Sequence, residues 1–270
     1  MGTPQDALTR IACLVEARYG LSPAVLEQRL CGYLGRSSAH DQAQLADQLR
    51  IAHEDHPLWQ ALIEGLLVHE TYFYRHMDQL DVVTQEVLPL LRRQNPGGIS
   101  AWCAGCATGE EAYTLAFMMR DAGLSARVIG TDLSARSIAS ARLGSFGQTP
   151  GLNSFRAMPA VAWSKFSAIP GRPAVWSVAA DIRASVEFMV HNLVLPLPDA
   201  RRMNLISCRN TLIYFSAEGQ RRVEENIVAS SGPGTILLLG PAERLRYTNV
   251  FEPLSYSHPQ ILHWPEHKAR

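Results

Sequence analysis

Lysine is nearly absent from this sequence. Lys165 and Lys268 are the only two, and arginine carries the rest of the basic charge. An excess of either sign is missing as well: 25 basic residues face 25 acidic ones, which argues against general nucleic-acid binding. The balance is uneven along the chain. Residues 1–80 hold 6 arginines against 10 carboxylates, a balance of −4, whereas residues 81–270 hold 19 basic and 15 acidic residues, a balance of +4. No apolar run reaches the ~18 residues of a membrane-spanning helix, so membrane insertion is not expected. The start MGTPQDALTR has no apolar signal-type region, and Asp6 stands where myristoylation needs Ser or Thr. The expectation is a cytoplasmic protein. Internal repeats and low-complexity segments are also lacking.

Cysteine is scarce and odd in number, at positions 13, 31, 103, 106 and 208, which suggests reduced thiols. Cys103 and Cys106 form a CxxC. No second CxxC or close Cys/His pair accompanies it, so no metal site is expected. Redox chemistry of the thioredoxin type would set the motif at a helix start in other surroundings. Small residues packing a turn is the reading that remains. With 47% hydrophobic residues the chain can bury a sizeable core.

Two patterns divide the chain. Residues 6–19, a run from Pro23, 41–52, 57–68 and 72–93 carry apolar residues at helical spacing, with Pro89 interrupting the last of them late. Ser22 is placed to cap the second run and Pro23 to open it. Residues 1–90 therefore read as a helical N-terminal domain, and QNPGG (94–98) as a linker. Beyond it strands alternate with helices. Strand 99–104 precedes helix 110–122, and strand 127–131 precedes helix 134–143. Strands at 186–192, 203–208 and 234–240 follow, with helix 217–229 between the last two and one or two edge strands in 254–264. Residues 91–270 thus predict an α/β domain with a mostly parallel sheet and an irregular, strand-containing segment at 144–185.

In such a sheet ligands bind beyond the carboxyl ends of the strands. The residues just past the predicted strands are Gly105, Gly109, Glu110 and Glu111, then Asp132, Asn192, and Arg209 with Asn210. Asp132 is placed for ribose hydroxyls, and the amide of Asn192 for an adenine edge. A strand–glycine–helix turn usually cradles phosphate at the positive end of the helix. Here that turn carries two carboxylates, which would repel phosphate, and GxGxxG is absent. S-adenosyl-L-methionine has a sulfonium and an ammonium instead, and a carboxylate can pair with such a cation in a partly desolvated site. An acidic first turn also suits the helix dipole, and Glu110 is expected to be the more structural of the pair.

WCAGCATGEEAYTLA resembles the cofactor motif of the CheR-type chemotaxis receptor (protein-glutamate) O-methyltransferases. ISCRNTLIYF (206–215) resembles that family's CRNVLIYF, and ETYFYR (70–75) its TxFFR. VIGTDLSARSIASARLGSF and PGTILLLGPAERL resemble its second-strand and late-strand regions. The motifs keep the family's order over about residues 5–264.

The resemblance implies a helical N-terminal domain on a Rossmann-like methyltransferase domain, with a small β-subdomain inserted at about 144–185. It implies methyl transfer from S-adenosyl-L-methionine to glutamates in the cytoplasmic methylation region of a chemoreceptor, leaving S-adenosyl-L-homocysteine. By position, His69, Thr71, Arg75, Glu111, Asp132, Asn192, Leu193, Arg209 and Asn210 would bind the cofactor. Arg75 and Tyr214 would serve catalysis at the substrate side. No general base is needed, because a glutamate of ordinary pKa, about 4.3, is already ionised at neutral pH.

The chain departs from the family at His69 (usually Asn), Tyr74 (Phe), Ala107 (Ser or Thr) and Asn204 (Asp). In the second helical run only Arg29, with Arg36 just after it, offers basic charge to an acidic receptor. A chemotaxis-like pathway for motility or surface sensing would accommodate an unusual receptor. The 144–185 segment could hold a receptor docking site. Three other readings stay open: an adenosylmethionine-binding regulatory module without turnover, a methyltransferase for a small molecule or another protein, and a nicotinamide dehydrogenase, which the acidic turn disfavours.

Overall fold

The computed structural model describes residues 4–35, 37–149, 152–198, 202–255 and 257–267. Arg36 therefore lies outside the described residues. Four helices come first: α1 (Pro4–Tyr19), α2 (Pro23–Leu34), α3 (Ala39–Ile51) and α4 (Pro57–Leu66). Their boundaries follow local chemistry. Pro23 and Pro57 open α2 and α4, where a missing N–H costs nothing. Ser38 and Asp41 form a reciprocal capping box on α3. The helices bury their own apolar cluster, in which Ile11, Val15, Leu49, Trp59 and Leu62 are almost completely covered.

The stretch 72–93, expected to be helical with Pro89 interrupting it late, starts later than its spacing suggests. Helix α5 starts only at Met77 and runs to Val82, a π-helical turn covers Val83–Val87, and α6 spans Leu88–Gln94. The cause of the late start is tertiary. Phe73 N–H donates to the carbonyl of Ser154, Tyr74 N–H donates to Thr114 Oγ1, and Tyr74 and His76 adopt left-handed φ of 57° and 59°. The π turn sits just ahead of Pro89, which has no N–H for the helix ladder. Leu80, Val83, Val87 and Leu91 pack into the core beside the sheet, not into the cluster of the first four helices. The packing thus changes partner ahead of the QNPGG linker, before α5 begins.

After the linker come β1 (Ile99–Ala104), α7 (Glu110–Asp121), β2 (Ala126–Asp132) and α8 (Ala135–Leu143). Then follow β3 (Ser145–Thr149), β4 (Leu152–Asn153), β5 (Phe166–Ala168) and β6 (Val175–Val178). The chain continues through the short α9 (Ala180–Arg183), β7 (Val186–Val190), β8 (Leu205–Cys208), α10 (Ala217–Ala229) and β9 (Ile236–Leu239). It closes with β10 (Glu252–Pro253) and β11 (Ile261–His263). The main sheet has the order β10-β11-β9-β8-β1-β2-β7. Strands β9, β8, β1, β2 and β7 are parallel, and β11 and β10 add an antiparallel edge. This is the Rossmann-like arrangement that the motifs imply. A separate four-stranded antiparallel sheet, β4-β3-β6-β5, is inserted between α8 and α9. Strands β1, β8 and β9 are buried along nearly their whole length, as strands covered on both faces must be. No helix of the described residues is long and apolar enough to cross a membrane.

The chain leaves β1 toward β2 on one side, while β8 pairs with β1 on the other. That reversal opens a crevice at the carboxyl edge, where such sheets take ligands. The first helices close its outer wall. Ser22 N–H donates to the carbonyl of Tyr214 at 2.9 Å, and Ser216 N–H donates to that of Gly20 at 2.8 Å. Gly20 and Gly219 touch backbone to backbone: a Cβ on Gly219 would lie 2.0 Å from the carbonyl oxygen of Gly20. Gly219→Ala should therefore push the helical wall off the sheet and cost about 1–3 kcal/mol, as overpacking does. A thermal melt should show a fall of roughly 2–4 °C per kcal/mol for a chain near this size.

Candidate functional site

The crevice is a cleft of about 930 Å³, counting space open to solvent at its mouth. Each neighbouring strand end contributes to its lining: Gly105, Ala107 and Glu111 after β1, Asp132 and Leu133 after β2, His191, Asn192 and Leu193 after β7, and Arg209, Asn210 and Thr211 after β8. Thr71 and Arg75 enter from the segment before α5, and Tyr214 from the turn after β8. Nine of the ten site residues expected from sequence thus share one lining. His69 does not. Its Nδ1 is hydrogen-bonded to Ser137 Oγ at 2.8 Å, which turns the ring onto α8.

The turn after β1 works as the glycines suggest. Gly105 has φ +80°, and a Cβ there would meet Thr211 Oγ1 at 2.5 Å. The two adjacent carboxylates diverge. Glu110 is buried, accepting hydrogen bonds from Thr108 Oγ1 at 2.7 Å and from Ser154 Oγ of the inserted segment at 2.8 Å. It does not line the cleft, and burial raises its pKa. Glu111 faces the cleft. Ser207 Oγ donates to its Oε1 at 2.5 Å, and Arg209 Nη1 lies 3.4 Å from its Oε2. The Arg209 side chain is 1% exposed, and its other terminal nitrogen donates to the carbonyl of Arg75.

Asp132 is held by two backbone donors, Ala107 N–H at 2.8 Å and Ser134 N–H at 2.9 Å. Burial raises its pKa, and these two donors oppose that shift. Each oxygen keeps a further lone pair for a ligand hydroxyl. Asn192 is more occupied than its sequence position suggests. Its amide donates to the carbonyl of Arg18 at 3.1 Å, and its oxygen accepts from Val194 N–H at 3.3 Å. One amide hydrogen remains for a ligand. Arg75 Nη1 donates to the carbonyl of Glu70 at 2.9 Å, and its buried Nε has no partner among the described residues. Burial raises the pKa of Tyr214, whose hydroxyl sits in the field of Arg29, Arg75, Glu243 and Glu70. Four residues with left-handed φ adjoin this site: Tyr74 and His76 flank Arg75, and Ala107 and Asn210 line the cleft. Such backbone persists only where surrounding contacts over-determine it.

Several contributors have no clear signal in sequence. Tyr19, Leu21, Leu26 and Leu66 form the outer wall, but helical spacing marks them only as apolar. Glu64 on α4 accepts from Ser134 Oγ at 2.8 and 2.9 Å and from Arg136 N–H at 3.1 Å, so it bridges the helical wall to the start of α8. Glu243 lies in the late-strand segment, yet its task shows only in three dimensions. Buried behind the cleft, it accepts from the N–H groups of Asn210 and Thr211, both at 2.6 Å, and of Gly240 at 2.7 Å. The departure Asn204 stands at the far end of β8 from the cleft. Its oxygen accepts from Ser100 N–H at 2.8 Å and its amide donates to Asn95 Oδ1 at 2.7 Å, a donation that Asp could not make. Cys103 and Cys106 are fully buried, and burial pushes both thiols well up, as inert packing residues require. Glu243→Gln would turn a donor toward N–H groups that now meet acceptors. It should cost about 1–3 kcal/mol. The melting temperature should fall, and the 209–213 segment should gain amide hydrogen exchange.

Comparison with known proteins agrees with this geometry. Residues 69–259 match the family described as CheR methyltransferase, SAM binding domain. An uncharacterized 104.1 kDa protein of Rhodobacter capsulatus is 30% identical over 269 residues, 94% of this chain but 27% of that protein. Chemotaxis protein methyltransferase 1 of Pseudomonas aeruginosa is 30% identical over 199 residues, 70% of each chain. The "Probable biofilm formation methyltransferase WspC" of the same species is 30% identical over 248 residues, 87% of this chain and 56% of WspC. The strand-end carboxylates, the CRN turn and the match over most of the chain lead to one conclusion: this chain belongs to the CheR methyltransferase family and carries its S-adenosyl-L-methionine-binding domain.

Proposed function

We propose that this protein is a protein-glutamate O-methyltransferase acting on the cytoplasmic methylation region of a chemoreceptor, in chemotaxis or a chemotaxis-like pathway. The observation that carries the reading is a separation of charge across one cleft. Glu111 and Asp132 supply negative charge at the inner side, where a sulfonium-bearing cofactor fits and a phosphate does not. On the Tyr214 side Arg75, with a buried Nε that has no partner among the described residues, and Arg29 supply positive charge for an anionic acceptor, against Glu70 and Glu243 nearby. Among the described residues neither arginine forms an ion pair with a carboxylate side chain. The likeness to relatives named for chemotaxis and for biofilm formation supports both pathway settings. A cytoplasmic location follows from a receptor's cytoplasmic region as substrate.

When bound, S-adenosyl-L-methionine supplies an electrophilic methyl whose bond to sulfur breaks as its bond to the acceptor oxygen forms. The chain's own residues then have three tasks. Glu111, braced by Ser207 and Arg209, holds the methionyl ammonium, and Asp132 holds the ribose. Thr71, Asn192, Leu193 and Asn210 shape the rest of the pocket. Arg75 grips one oxygen of the substrate carboxylate so that the other is aimed in line, while Tyr214 helps to exclude water. No residue need move a proton, because the acceptor is already a carboxylate.

The test is transfer of radiolabelled methyl to a panel of receptor cytoplasmic domains, followed by mild base. Release of volatile label marks a glutamyl ester. Cofactor binding without label on any receptor would favour a regulatory module. Arg75→Ala should lower turnover at saturating substrate by about 10²-fold or more, the scale of a lost positioning contact. Near-normal turnover in that variant would remove Arg75 from the mechanism. Glu111→Gln should instead weaken cofactor binding, as calorimetry with S-adenosyl-L-homocysteine would show.

A further inference from the structure

Beside Arg75 at the cleft lies an ion pair that the mechanism above does not use. Glu70 lines the cleft beside Thr71 and Arg75. Its carboxylate is ion-paired to Arg156, which the inserted segment contributes just after β4. The Arg156 guanidinium lies 3.8 Å from the centre of the Tyr72 ring, and that of Arg75 lies 5.7 Å from the same centre. Two arginines, from segments far apart in sequence, therefore converge on one aromatic ring. The turn bearing Arg156 is itself anchored. Phe73 N–H donates to the Ser154 carbonyl at 2.8 Å, and the Phe73 and Phe155 rings stack at 5.5 Å.

The two contacts of Arg156 differ in strength of hold. Its pair with Glu70 is part-exposed, with side chains 35% and 43% accessible, and such pairs break easily. The Tyr72 ring holds the guanidinium by cation–π attraction whether or not Glu70 stays. Glu70 also acts on the Tyr214 hydroxyl, as Arg75 does, which sets its negative charge on the substrate side of the cleft. An incoming carboxylate would meet repulsion from Glu70 and attraction from the arginine that Glu70 occupies.

We propose that Glu70 is a stand-in for substrate: its carboxylate occupies Arg156 in the free protein, and an acidic side chain of the incoming substrate segment displaces it. Arg156 is then a substrate-positioning and specificity-determining residue, posted by Tyr72 from the inserted sheet, while Arg75 serves the reacting glutamate. Because both guanidiniums approach one ring, the two carboxylates they take belong to one short stretch of the substrate segment. This rests on the reading that the acceptor is a carboxylate on an acidic protein segment.

The probe is a synthetic alanine-based peptide bearing an adjacent Glu–Glu pair, with a Gln–Gln peptide as control. Binding to the S-adenosyl-L-homocysteine-loaded protein is followed by fluorescence anisotropy. Arg156→Ala should weaken binding of the Glu peptide by about tenfold, the scale of one charge-assisted contact. Glu70→Gln should tighten it by about three- to tenfold, a gain that misfolding cannot mimic. Neither variant should alter affinity for S-adenosyl-L-homocysteine or the weak binding of the Gln peptide. Unchanged or weaker binding in Glu70→Gln would overturn the proposal, as would an unaffected Arg156→Ala or a Glu peptide that binds no better than its control. Base-labile methylation of the receptor panel is read separately. Its absence alongside Glu-dependent binding would sink the enzymatic reading, and its presence without the Glu70 effect would sink only the stand-in.

Discussion

The Arg209 guanidinium is nearly removed from water, and three distant segments meet on it. Its Nη1 faces Glu111 at the turn after β1, and its Nη2 donates to the carbonyl of Arg75 in the segment before α5. Arg209 itself stands at the end of β8. A buried cation needs such partners, because desolvation without them is prohibitive. The pair in turn keeps Glu111 from standing as an unpaired charge. The Arg75 backbone is held at the same point, so the two ends of the cleft share one fastening. Glu243 supports it from behind by clamping the N–H groups of Asn210 and Thr211.

From this centre the charges sort by side. Carboxylates on the turns after β1 and β2 face inward, and on the Tyr214 side Arg75 and Arg29 stand against Glu70 and Glu243. A cationic donor and an anionic acceptor would then approach from opposite sides with little help from titrating groups. The helical wall and the inserted sheet both belong to this arrangement. Glu64 ties the wall to α8, and Ser154 ties the inserted segment to both Phe73 and Glu110.

The departures from the family pattern sort by location. Ala107 stands at the cleft, where its backbone N–H and not its side chain holds Asp132. Tyr74 is buried, with its N–H on Thr114, and one aromatic ring has replaced another. Asn204 serves the junction of β8, β1 and the linker. His69 spends its Nδ1 on α8, away from the cleft lining.

The element types and most of the site were legible in the order of residues alone. Runs such as ISAWCA and TILLLG read as buried parallel strands, and the residues after such strands must fall at one edge. Glu111, Asp132, Asn192, Arg209 and Asn210 could be found for that reason. Direction and partnership came only with packing. Glu110 and Glu111 are neighbours in sequence, yet successive helix positions point about 100° apart, and contacts with Thr108 and Ser154 send one into the structure while the other meets the cleft. Residues 72–76 have helical periodicity, but hydrogen bonds to Ser154 and Thr114 hold Phe73 and Tyr74 outside the helix. Glu70 and Arg156 lie far apart in the chain, and no local signal could pair them. Their meeting depends on where the inserted sheet comes to rest.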